Sequence, residues 1–140
     1  YIMSQIEVDK VIPQSGTNLQ IGEAGDTINL TTATVNLPTG VGGTAWQAVK
    51  TANFTAAAGE GYFVNTTGNV ITATLPASAT IGNEISIIDY AGTADTNNIT
   101  IGRNGHKIQG SASDMTVATE RAAFTLVYVD ATQGWLLTDK

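Results

Sequence analysis

Three observations predict an all-β protein. Hydrophobic residues make up 42% of the chain and charged ones only 13%. The polar remainder is Thr, Asn, Ser and Gly rather than Lys and Glu, a composition that suits strands and turns better than helices. Residues 70–75 alternate Ile71, Ala73 and Leu75 with Thr72 and Thr74, and a period of two puts one face of a strand in a core. Turn-forming residues recur about every eight to twelve positions after residue 44, the rhythm of a β-sandwich or jelly roll. The expectation is an antiparallel β-sandwich or jelly-roll knob over residues 44–140, preceded by a short β stem over residues 1–43.

Taken in order, Ser4 to Val11 alternates Ile6 and Val8 with Glu7, Asp9 and Lys10, which predicts a half-buried strand ended by Pro13. From Ser15 to Gly40 the apolar pairs Leu19/Ile21, Ile28/Leu30 and Val35/Leu37 recur, separated by Gly22, Gly25-Asp26 and other turn material. Strands this short cannot bury such pairs alone. Identical chains wound about one axis, with the pairs pointing inward, would cover them, and a homotrimer is the expected form. The alternative is that they form edge strands of the C-terminal sheet. Gly40 to Gly43 is expected to be a hinge.

Thr44 to Ala58 combines Ala, which favours helix, with Val49, Thr51, Phe54 and Thr55, which favour strand. Strand is expected. Gly61 to Gly92 predicts three strands, Tyr62–Asn65, Val70–Leu75 and Glu84–Tyr90, joined by turns, with Pro76 closing the second. An antiparallel meander is the simplest arrangement of the three. Asn98 to Arg103 alternates Ile99 and Ile101. Asn104-Gly105 then predicts a type I′ hairpin, because both central residues of that turn need positive φ, with His106 to Gln109 as the return strand. Met115–Thr119, Ala122–Val129 (Phe124, Leu126 and Tyr128 on one face) and Trp135–Leu137 complete the series.

Composition also narrows the chemistry. A net charge of −6, with six scattered basic residues, is unsuited to sequence-independent binding of nucleic acid. Cysteine is absent, which removes disulfides and thiolate chemistry. The chain has no apolar run of about 18 residues and no basic-then-apolar leader, so neither membrane insertion nor a secretory signal is expected. Met3, with Tyr1 and Ile2 ahead of it, is a candidate start.

His106 is the only histidine. A His-containing metal cluster therefore cannot form within one chain, and no metal or cofactor is expected. Neither a GxSxG elbow nor a phosphate-cradling GxxxxGK[ST] loop is present. Catalysis would have to come from carboxylates such as Glu60, Asp89, Asp95, Asp114, Glu120 and Asp130. Nearly all of these adjoin turns, where acidic residues serve geometry and solubility, so no enzymatic activity is expected. Among the aromatics, Phe63, Phe124 and Trp135 are assigned to the core, leaving Tyr62 and Tyr90 as surface candidates for stacking on sugar rings.

The phrases GYFVNTT, ITATLPAS, ISIIDYAG, NNITIGRNGHKIQGSAS and LVYVDATQGW resemble the C-terminal β domain at the ends of many bacteriophage tail fibres and related virion appendages, especially in phages of marine and cyanobacterial hosts. SQIEVDKV and LQIGEAGDTINL resemble the shaft-like segments that precede such domains. The resemblance implies a structural protein of the virion surface, homotrimeric, fixed to capsid, tail or baseplate proteins through residues 1–43. Its knob would serve attachment to the host surface, where a glycan is a candidate partner. The chain has room for very little shaft, so a short tail fibre, a head fibre and a capsid decoration protein all suit it. A carbohydrate-binding module is the further alternative.

Overall fold

The computed structural model describes Ala24, Gly25, Thr27 and residues 43–138. The chain divides into two compact units, Tyr1–Asn36 and Leu37–Lys140. The strand expected over Ser4–Val11 and the stem contacts Leu19, Ile21, Ile28, Leu30, Val35 and Leu37 lie outside the described residues.

The described part is all-β. Its nine strands are β1 (Ala45–Trp46), β2 (Phe54–Thr55), β3 (Glu60–Val64), β4 (Ile71–Thr74), β5 (Glu84–Asp89), β6 (Ile99–Gly102), β7 (Met115–Val117), β8 (Ala123–Asp130) and β9 (Gly134–Leu137). The ambiguous stretch 44–58 contributes two short strands and no helix. Among the described residues no helix is long and apolar enough to cross a membrane.

The strands form two mixed sheets, of order β1-β3-β5-β8-β9 and β2-β4-β6-β7. This corrects the expected antiparallel arrangement. From β1 to β6 the chain alternates between the sheets, and within each sheet the successive strands pair in parallel, β1 with β3 with β5 and β2 with β4 with β6. The chain therefore coils as a short parallel solenoid does. Antiparallel strands extend both sheets beyond the coil: β7 joins β6, β8 joins β5 and β9 joins β8.

The loops explain why β3, β4 and β5 are not a meander. After Val64 the chain turns at Asn65, whose side chain accepts the Thr67 N–H at 3.1 Å. Thr66 is buried and shares a hydroxyl hydrogen bond of 2.9 Å with Thr93 in the loop after β5, and the Asn97 amide donates to the Thr66 carbonyl at 2.9 Å. These bonds stack one connecting loop on the next. Each connection then crosses to the other sheet instead of folding back as a hairpin. The crossing lets Tyr62 and Val64 of β3 share one core with Ile71 and Ala73 of β4.

Asn104 and Gly105 do take positive φ, 46° and 90°, but the return strand expected at His106–Gln109 does not pair with β6. The Asn104 amide donates to the Leu75 carbonyl at 2.8 Å, which draws the turn toward β4. Lys107 and Gln109 then pair with Trp135, at 2.9 and 2.8 Å. The antiparallel neighbour of β6 is β7, in the register Ile99↔Val117 and Ile101↔Met115. Trp135 sits at the centre of the core at 0% exposure. Phe124 packs against the core from its margin, whereas Phe63 lies on the opposite face of its strand, stacked on Trp46.

Candidate functional site

The parallel stacking of β1, β3 and β5 aligns the places where the chain enters them. Gly43, Gly59 and Gly82 stand just ahead of these strands with φ of 88°, 85° and 86°. That left-handed conformation costs a side-chain-bearing residue strain that glycine avoids. The entrances are hydrogen-bonded to each other, Ala45 N–H to the Gly59 carbonyl at 2.9 Å and Gly59 N–H to the Glu84 carbonyl at 2.7 Å. Together they floor an open cleft of about 330 Å³, at the lower end of the range of small-molecule sites, about 300–1,000 Å³.

Polar side chains line this cleft, from Thr44, Glu60, Asn83, Glu84 and Ser86. Glu60 is held in place: its Oε1 accepts from Gln47 Nε2 at 3.1 Å, and its Oε2 accepts a short hydrogen bond from the Tyr62 hydroxyl. That hydroxyl in turn accepts the Ala57 N–H at 2.8 Å. Burial of the phenol, reinforced by the neighbouring Glu60, pushes the Tyr62 pKa up to about 12. Asn83 uses its Oδ1 to accept the Thr80 N–H at 3.0 Å, leaving its Nδ2 without an acceptor among the described residues. Ser86 shares a hydrogen bond of 2.8 Å with Thr125. Glu84 is exposed.

Trp46 is not one of the residues that line the cleft but stands next to one of them, Thr44. It pairs with Gly61, which pairs with Ser86 on the next strand, and the absence of a side chain at Gly61 gives the indole its place. A Cβ there would lie 2.6 Å from Trp46 Cε3 and 2.7 Å from the Thr44 methyl. One face of the indole stacks on Phe63, with centroids 4.8 Å apart, and the side chain remains 47% exposed. An exposed aromatic ring thus stands beside a cleft lined by carboxylates, an amide donor and hydroxyls.

The residues singled out from the sequence fall elsewhere. Tyr62 is 2% exposed and belongs to the core, its ring against Phe54 and under Lys50, so its assignment to the surface is corrected. Period two put Tyr62 on the inward face together with Val64, where only its hydroxyl reaches the Glu60 carboxylate. Tyr90 is 51% exposed but follows the far end of β5, away from the cleft. His106 lies over the Tyr128 ring, with its Nε2 3.1 Å from the Ala77 carbonyl. Among the described residues, no group of three or more His, Cys, Asp or Glu could hold a metal.

Several acidic residues serve the backbone. Asp114 accepts the Arg103 N–H, and Asp130 accepts those of Thr132 and Gln133. Asp89 is buried at 2% exposure and accepts four, from Gly92 and Thr93 on Oδ1 and from Ala94 and Arg121 on Oδ2. Burial pushes the Asp89 pKa up, and these four donors pull it down by more, to below the usual carboxylate range. No family model matches this chain, and no curated protein matches it.

Proposed function

We propose that this chain is a non-enzymatic structural protein of a phage virion, a short homotrimeric fibre or appendage on the particle surface. Residues 1–43 form its stem and attach to capsid, tail or baseplate proteins. Residues 44–140 form a β-sandwich-like knob that serves attachment to the host surface. One observation carries the reading. The apolar pairs Leu19/Ile21, Ile28/Leu30 and Val35/Leu37 recur along the stem in strands too short to bury them alone. Two further copies of the same stem, wound about one axis, cover these pairs. The resemblance of the sequence phrases to fibre-end domains agrees with this assignment.

The test is to replace Ile28 or Leu30 by Asp and measure assembly and folding separately. Charges facing a shared axis are expected to abolish the trimer, while amide spectra of the C-terminal unit stay dispersed. A trimer that survives both substitutions would rule out the shared-axis stem. A decoration protein lacking any receptor role is the second reading. It is favoured if particles stripped of the protein still adsorb to cells but lose physical stability.

A further inference from the structure

We propose that the cleft at the entrances of β1, β3 and β5 binds a pyranose ring of a glycan, with Trp46 as the stacking platform and Glu84, Asn83 and Ser86 as the partners of its hydroxyls. The inference deepens the attachment role proposed above by naming the ligand class and the site, and rests on that role only for its biological purpose. Sugar rings offer an apolar face of C–H groups and an edge of hydroxyls that both donate and accept. The cleft supplies partners for the hydroxyls, and Trp46 beside it supplies the apolar surface. The indole of Trp46 is half exposed and braced from behind by Phe63, so it supplies a rigid apolar surface at little entropic cost.

The hydroxyl partners are distinct in kind. Glu84 brings a carboxylate with no hydrogen bond among the described residues. Asn83 has its carbonyl oxygen committed to Thr80 and its amide free to donate. Ser86 is fixed by Thr125, so its hydroxyl has a set position. Glu60 shares the face of β3 that carries Tyr62, opposite Trp46, and its carboxylate is taken up by Gln47 and Tyr62, so it is not one of the partners. The open, polar form of the cleft suits one ring of an exposed chain better than an enclosed apolar ligand. Nothing in this set calls for bond breaking, and the inference is of binding alone.

The two tryptophans make the test direct. Trp135 is fully buried in the core and Trp46 is half exposed, so a sugar stacking on Trp46 shifts the emission of that residue to the blue and leaves Trp135 unchanged. The full chain is titrated with glucose, galactose, mannose and N-acetylglucosamine at millimolar concentrations, read by fluorescence and by amide resonances. At least one sugar is expected to move the resonances of residues 43–46, 58–61 and 82–86 together with the Trp46 emission. Trp46→Ala should weaken binding at least tenfold, and Glu84→Gln severalfold.

Gly61→Ala tests the platform without removing any binding group. Its Cβ would overlap the indole, so the ring must move and binding should fall as it does in Trp46→Ala while the amide spectrum stays dispersed. Silence with all four sugars overturns the proposal, as do shifts confined to the surroundings of Tyr90, or full binding by Trp46→Ala. The two proposals fail separately. A trimer that binds no sugar refutes the cleft, and a monomer that binds sugar refutes the stem.

Discussion

Replacing Asp89 by Asn changes one atom in the side chain that, among the described residues, accepts the most hydrogen bonds, and the geometry sets its cost. Four backbone N–H groups converge on the carboxylate, two on each oxygen, at 3.0 to 3.3 Å. They belong to the loop after β5 and to the turn before β8, so the side chain pins both to the end of one strand. Asparagine keeps one oxygen and turns an NH₂ toward the other two donors. Two buried N–H groups lose their acceptor, at about 1–3 kcal/mol each, and the remaining two lose their charged partner. A loss of about 4 kcal/mol follows, a large share of the about 5–15 kcal/mol that holds an ordinary domain. The melting temperature should fall by about 15–30 °C, measured by circular dichroism at neutral pH. The pH dependence carries a sign as well. Because the folded pKa of Asp89 lies below its ordinary value, its contribution is present above the usual carboxylate pKa of about 3.9 and fades as pH falls through the folded value. The gap between wild type and Asp89→Asn should therefore narrow toward acid. A loss below about 1 kcal/mol at neutral pH, or a gap that widens in acid, would refute the latch.

Three further outcomes follow from single contacts. Tyr62 ionises at about 12 in the folded chain against about 10 when unfolded, so the unfolded state releases its proton first. Stability should fall by about 2 kcal/mol between pH 10 and 12, a loss that urea titrations of Tyr62→Phe should not show. At Gly134, φ is +73° and a Cβ would stand 1.9 Å from the Lys107 carbonyl oxygen. Gly134→Ala should cost at least ~3 kcal/mol and break the bonds that tie Lys107 and Gln109 to Trp135. Gly105, at φ +90°, has nothing near its absent Cβ, so Gly105→Ala should cost only ~1 kcal/mol in the same chemical denaturation.

Strand positions were legible in the sequence because burial on one face imposes a period of two. Ile71/Ala73, Ile85/Ile87 and Leu126/Tyr128 mark β4, β5 and β8, and all six are buried. Partners were not legible. Alternation states which face of a strand is inward and leaves open which strand lies beside it. Here that choice is made by loops in which Thr66 meets Thr93 and Asp89 gathers four amides, contacts between residues far apart in the chain. The Asn104-Gly105 turn shows the same limit, since its φ values follow from local chemistry while its exit is set by the distant Leu75 carbonyl. The cleft was invisible for a related reason. Glu60 was weighed singly, and Thr44, Trp46, Asn83, Glu84 and Ser86 look like ordinary surface residues until the register Ala45↔Glu60↔Ile85 brings their strands together. The one sequence signal for it was the glycine ahead of each of the three strands.

The shared-axis stem is tested most directly by the mass of the full chain in solution, measured by light scattering on a sizing column over a wide range of dilution. A mass near three times the 14.5 kDa of one chain, holding as the protein is diluted, is the expected result. A stable mass of one chain would contradict it, because the apolar pairs from Leu19 to Leu37 would then be covered without any second copy.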